Sequence, residues 1–309
     1  MTTSADAAPQ SFEPGSAARP PASRTPPFLW SVRRELWEHR AIFVAPLIVA
    51  GVMLLGFIVS MGDLPRAHRA FLALSPRRQS IAVALPYDAG AAALILTWLV
   101  VGAFYCLAAL NAERRDRTIL FWKSLPVSDL TTVLAKAAIP FLVLPAVTLV
   151  VTIAAHFITL MINSAALLAI GESPAILWAR LPLATMAVTL LYAASTVSLW
   201  YAPVWGWLLF VSGWARRAAF LWAVGIPLAL CLFEKIALGS SRLFSLLIQR
   251  LGGGFQDAFD LKPHYLFGTD LSLLDPARFL ADPALWIGLA IGAAFLAAAV
   301  RMRRLQGPI

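Results

Sequence analysis

The sequence predicts an all-α, polytopic membrane protein: six transmembrane helices preceded by an N-terminal interfacial helix. Three observations predict it. The chain is 60% hydrophobic and 13% charged, whereas a soluble domain averages about 45–50% apolar and about 25% charged. Several apolar runs reach about 20 residues, enough to cross a hydrocarbon core of roughly 30 Å. Basic residues gather at the ends of those runs, as expected where Lys and Arg orient membrane helices.

Residues 1–27 carry Pro9, Pro14, Pro20, Pro21, Pro26 and Pro27 among Ala, Ser and Thr. Too little apolar surface is available there to offset ordering entropy, so a disordered tail is expected. It is not a signal peptide, because the first apolar run begins only near Ala41 and is longer than an h-region. Residues 28–40 read as the interfacial helix: Leu29, Val32 and Leu36 share a face flanked by Trp30 and Trp37. Arg33 and Arg40 project into the same arc, where their heads can snorkel to phosphates.

The six spans are expected at 41–60, 91–110, 137–160, 183–201, 219–237 and 283–300. Residues 201–214, apolar and rich in Trp, either extend the fourth span or lie in the interface, with Pro203 and Gly206 favouring a break. Three loops follow on the far side, at 61–90, about 161–182 and 238–282. The last contains a surface helix over 240–251, stopped by Gly252, Gly253 and Gly254.

An even number of spans puts both termini on one side, and charge assigns that side to the cytoplasm. The clusters Arg114/Arg115/Arg117, Arg216/Arg217 and Arg301/Arg303/Arg304 adjoin span ends there. A net charge of +9 follows from that distribution, and no groove-reading motif or contiguous basic stripe points to nucleic acid. Cys106 and Cys231 both lie inside apolar runs, where they act as small hydrophobes and not as a disulfide or metal framework.

Absent motifs narrow the function. There is no G-x-x-x-x-G-K-[ST] loop to hold ATP, and Gly252–Gly254 is followed by Phe255 with no Lys. No H-E-x-x-H, C-x-x-C or G-x-S-x-G occurs. Neither catalytic residue nor cofactor or metal site is therefore expected. His156 and Glu234 are the polar residues nearest membrane depth. Each has two readings: part of a substrate path, or an ordinary contact, His156 on a neighbouring helix and Glu234 at the outer interface.

One charged segment interrupts the apolar chain, at 111–131. Glu113, Arg114, Arg115, Asp116 and Arg117 are followed by Phe121, Trp122, Lys123, Leu125 and Pro126. Lipid does not accommodate such a block, so it reads as a short cytoplasmic amphipathic helix. Glu113 and Arg117 stand at i, i+4 in the favourable order, Pro126 ends the helix, and Ser128 or Asp129 caps the next.

The order Glu113, Thr118-Ile119, Leu120, Leu125, Pro126-Val127 resembles the E-x(4)-T-L…L…P-V pattern of ABC-2-type transporter permeases, the membrane subunits of ATP-binding cassette exporters. The likeness spans roughly 28–304, with Arg117 standing where many members have Gly. The resemblance implies a type V exporter-like fold and export driven by ATP bound and hydrolysed on a separate cytoplasmic ATPase. It implies that the ten segment residues named above form the coupling element that docks this ATPase. It further implies a second permease subunit, identical or related, facing this one across the second and fifth spans, in a bacterial inner membrane. A membrane scaffold or assembly factor, or a membrane-embedded enzyme, are the alternatives. The transported substrate is not encoded in any motif of the sequence.

Overall fold

A computed structural model describes residues 27–120, 127–252, 271 and 274–305. The tail before Pro27, residues 121–126 and much of the loop before α13 lie outside the described residues.

The helix expected over 28–40 is α1 (Pro27–Glu38), followed directly by α2 (Ala41–Ser60), the first apolar span. Short α3 (Leu64–Leu72) leads to α4 (Pro76–Ala109) and α5 (Asn111–Arg115). Beyond the charged segment come α6 (Asp129–Ala138), a π turn at Ile139–Val143, and α7 (Leu144–Ala169). Then follow α8 (Ala175–Arg180), α9 (Leu183–Trp200), α10 (Ala202–Trp214) and α11 (Ala219–Leu238). The described chain ends with α12 (Arg242–Gly252), α13 (Pro276–Ala281) and α14 (Pro283–Leu305). Six helices are long and apolar enough to cross a membrane, so the chain is a helical, multi-pass membrane protein.

The expected loop at 61–90 is largely helical. Helix α4 opens with Pro76 in its first turn, where a proline lacks no needed donor. Its 34 residues extend about 51 Å at 1.5 Å each. That exceeds the hydrocarbon core, so part of α4 stands outside it. The surface helix expected over 240–251 forms at Arg242–Gly252, but its last turn is tied inward. Trp200 Nε1 donates to the Arg250 carbonyl (2.9 Å) and the Tyr201 hydroxyl to that of Leu251 (2.5 Å).

Residues 202–214 extend the fourth span. The ladder runs on across Tyr201, whose N–H bonds Val197 O while its own carbonyl accepts from Trp205 N–H (both 3.0 Å). Helix α10 then packs along α14 in the largest helix–helix interface of the described chain, with Trp205, Leu209 and Val211 buried. Pro203 sits in the first turn of α10, and the backbone ladder continues past it.

The π turn explains a second buried aromatic. Its carbonyls look five residues ahead, as Leu144 N–H to Ile139 O does. The carbonyl of Pro140 would look to residue 145, but Pro145 has no N–H to give. Trp98, fully buried on α4, donates its Nε1–H to that orphan oxygen at 3.1 Å, locking the start of the third span to the second.

Candidate functional site

The end of the molecule where α1, α5, α6 and α14 converge holds a buried ionic junction. Its centre is Glu113, on the single turn that continues the second span. Glu113 Oε1 receives Arg34 Nη2 (2.8 Å) and Lys136 Nζ (3.0 Å), and Oε2 receives Arg303 Nη1 (2.5 Å). Lys136 also reaches Glu35 Oε1 (2.8 Å), as does Arg34 (2.6 Å). Arg303 closes the far side on Asp129 Oδ1 (3.1 Å). Three carboxylates thus face three cations at the centre of the junction, and the exposed Glu38 adds an outer contact to Arg34 Nε (3.4 Å).

Each side chain arrives for a local reason. Glu35 follows Val32 by three residues and so lies on the inward stripe of α1. There it is 1% exposed, and Tyr105 from α4 donates its hydroxyl to Oε2 at 2.8 Å. Asp129 and Lys136, seven residues apart, share one face of α6. That helix begins where Ser128 Oγ accepts the Thr131 N–H (3.0 Å), the cap anticipated from the sequence. Arg303 sits in the last turn of α14, where a cation also suits the negative helix end.

Burial alone would raise the Glu35 carboxyl; Lys136, Arg34 and Tyr105 outweigh it and hold the group below its ordinary value. Glu35, Glu38 and His39 bring potential ligand atoms within 4.8 Å of one another. Both Glu35 oxygens are already taken by Lys136, Arg34 and Tyr105, so this carboxylate is neutralised by cations of the protein itself.

Next to the junction, α5 is joined to the end of α10. The last carbonyls of a helix lack partners within it. Here Gly213 O accepts Arg114 Nη1 (2.7 Å) and Ala215 O accepts Asn111 Nδ2 (2.6 Å). In return Ser212 Oγ accepts the N–H groups of Leu110 and Asn111, both at 3.0 Å.

The charged block read from the sequence is therefore split. Glu113 and Arg114 turn inward and are buried, while Arg115 and Asp116 pair with each other in solvent (3.3 Å). Arg117 is exposed, and Phe121, Trp122, Lys123, Leu125 and Pro126 lie outside the described residues. The expected Glu113–Arg117 pair does not form. Helix α5 stops at Arg115, Arg117 takes a left-handed backbone (φ 60°), and the Glu113 oxygens are occupied from within.

Left-handed backbone costs a non-glycine residue about 1 kcal/mol or somewhat more. Replacing Arg117 by Gly is expected to relieve this and raise the thermal midpoint of the purified chain in detergent. A midpoint that falls would show that the Arg117 side chain contributes more than the strain removes.

Both polar residues placed near membrane depth make specific contacts, and His156 also lines a cavity of about 330 Å³ between α2, α4 and α7. His156 Nε2 donates to the Tyr87 carbonyl on α4 (3.0 Å), and its ring meets the Tyr87 ring edge-on at 5.3 Å. Glu234 acts as the cap of α12, accepting from Ser240 Oγ and from the N–H groups of Arg242 (2.9 Å) and Leu243 (2.8 Å).

Sequence reasoning did not select Glu35, Lys136 and Arg303 as site residues. A signal for two of them was present: a carboxylate on the apolar stripe of α1, and a lone Lys inside the run Val133-Leu-Ala-Lys-Ala-Ala-Ile139. Each is costly unless paired. No family model, curated protein or solved structure matches this chain.

Proposed function

We propose that this chain is the permease subunit of an ABC-2-type exporter, driven by a separate cytoplasmic ATPase. It would reside in a bacterial inner membrane with both termini cytoplasmic. The observation that supports this most is the connectivity of Glu113. The exposed turn Arg115–Arg117 stands on a buried junction that grips α1, α6 and α14 through ion pairs and α10 through backbone carbonyls. A push on that turn reaches four elements without an intervening loop. A chain with no P-loop needs such a point to receive work, and docking can bias two conformations if it differs between them.

In this reading the ATPase meets Arg115, Asp116, Arg117 and the apolar residues after them, while Glu113 and Arg114 transmit displacement. A second permease subunit completes the path. Helix α11, the least enclosed of the six spans, offers Leu221, Leu228 and Leu232 to lipid or to that subunit.

The test is charge reversal at the exposed pair. Arg115→Glu with Asp116→Lys is expected to leave the thermal midpoint unchanged, because both side chains are solvated. The same variant should lower co-purification with a co-expressed ABC ATPase, and stimulation of that ATPase in lipid, by about tenfold or more. Normal capture and stimulation would remove the docking role from this turn.

A further inference from the structure

A cavity of about 510 Å³ lies between the α9–α10 junction, α11, α12 and α14. Its body is hydrocarbon: Trp207, Pro227, Leu230, Leu246, Ile291 and Phe295. One cation stands in its wall. The Arg250 guanidinium lies over the Trp200 ring at 4.3 Å, and its Nη1 donates to the Ala284 carbonyl at 3.2 Å. Its Nη2 rests on the bare backbone of Gly288, where an added Cβ would fall 1.2 Å away. That nitrogen is buried and has no hydrogen-bond partner among the described residues. Asp282 is the acid whose field reaches the group, but its Oδ1 accepts the Ala284 N–H at 2.8 Å. No described carboxylate comes within ion-pair distance of Arg250.

The arrangement has a direction. Ala284 and Gly288 belong to the first turns of α14, whereas Phe295 lies 11 residues beyond Ala284, about 16 Å along the helix. The cation therefore stands near the end of a span and the apolar trough runs from it toward the span's middle. Leu230 and Ile287 on the rim are exposed, so the trough opens sideways to the acyl region and not to water. A buried donor without an acceptor is costly, and an intramembrane cation calls for a counter-charge.

We propose that this trough binds an anionic phospholipid of the leaflet at the Pro283 end of α14, phosphate on Arg250 and one acyl chain against Trp207, Ile291 and Phe295. The site lies on the opposite side of the spans from the Glu113 junction and does not depend on the ATPase reading. Charge complementarity selects the headgroup class, and the trough's shape selects a chain-bearing ligand over a free anion.

Native mass spectrometry of the full chain can test it, offering equimolar phosphatidylglycerol and phosphatidylethanolamine with identical acyl chains. One Arg near the headgroups contributes on the order of 1 kcal/mol, so phosphatidylglycerol should be retained about fivefold over the neutral lipid. Arg250→Gln should abolish that preference, and Arg250→Lys should keep most of it. Ile291→Trp, which adds bulk to the trough from a half-exposed position, should reduce retention of both lipids. Arg304→Gln, at the other end of α14, should change nothing. Equal retention of both lipids by the unmodified chain overturns the proposal without reference to any variant. So does a preference that survives Arg250→Gln or disappears with Arg304→Gln.

Discussion

Replacing Lys136 by Met is expected to lower the thermal midpoint of the purified chain by about 5–10 °C, the largest loss for any single polar side chain. Lys136 is 1% exposed and holds Glu35 and Glu113 apart at 2.8 and 3.0 Å. Without it three carboxylates face two cations, and one buried charge is left uncompensated. Removing one partner of such a pair costs about 3–5 kcal/mol, and with an unfolding entropy of about 2.1 cal/mol/K per residue each kcal/mol moves the midpoint of a chain this long by about 1.5–2 °C. Methionine keeps the stem volume, so packing is not the cause. Two further readouts separate the electrostatic account from general damage. Glu35→Gln on the Lys136→Met background restores equal numbers of opposite charges and should recover part of the midpoint. The acid dependence should also differ. In the unmodified chain Glu35 is held below its ordinary value, so its contribution is full above about pH 4.3, the unfolded value, and is lost as pH falls through the lower folded value. With Lys136 gone, burial dominates and raises the same carboxyl, so protonation relieves the variant. The gap between the two proteins should narrow from pH 7 toward pH 4; a constant gap would refute the assignment.

The spans were legible because a lipid-length apolar run has few other uses, and first and sixth starts at Ala41 and Pro283 agree with the helices. What failed was local. Residues 76–90 fall within the loop expected at 61–90, yet the helix runs through all of them. Gln79 and Asp88 are buried, and Gln79 Nε2 donates to the Phe71 carbonyl at 3.3 Å. The charged segment was found for a sound reason, its incompatibility with lipid, but which charges face inward was not readable from spacing. Glu35 and Lys136 are 101 residues apart, and Glu113 and Arg303 are 190 apart. Helical periodicity reports neighbours three or four residues away and has no access to such pairs. Glu234 was taken for a path or interface residue because its partners, the first amides of α12, follow a turn whose geometry no pattern specifies.

Substituting Gly292 is expected to separate two helices that meet through their backbones. A Cβ at Gly292 would lie 2.9 Å from both the carbonyl carbon and oxygen of Ala202 and 3.2 Å from Pro203 N; one at Gly206 would lie 2.7 Å from Gly292 O. Those neighbours are main chain, so no rotamer change can yield, and the helices must move. Small residues permit such approach in membrane bundles, where dispersion and not water drives association. Gly292→Ala should therefore cost about 1–3 kcal/mol, although the same exchange in an open helix position stabilises by about 0.5–1 kcal/mol. Gly225 on α11, with nothing within 4 Å of its would-be Cβ, supplies that control, so Gly225→Ala should raise the midpoint while Gly292→Ala lowers it. Gly292→Leu should go further, because α14 carries Phe295, stacked on Phe210 (6.0 Å) and tilted against Trp207 (5.3 Å), and has Arg303 in its last turn. Arg303 lies 11 residues beyond Gly292, about 16 Å along a rigid helix, so a displaced crossing carries its guanidinium away from Glu113. If α14 links the helix core to the junction in this way, Gly292→Leu should also blunt the response to Lys136→Met, giving a double variant less destabilised than the sum of the two. Additive losses would mean that the crossing and the junction are independent, and that a push at Arg115–Arg117 does not travel along α14.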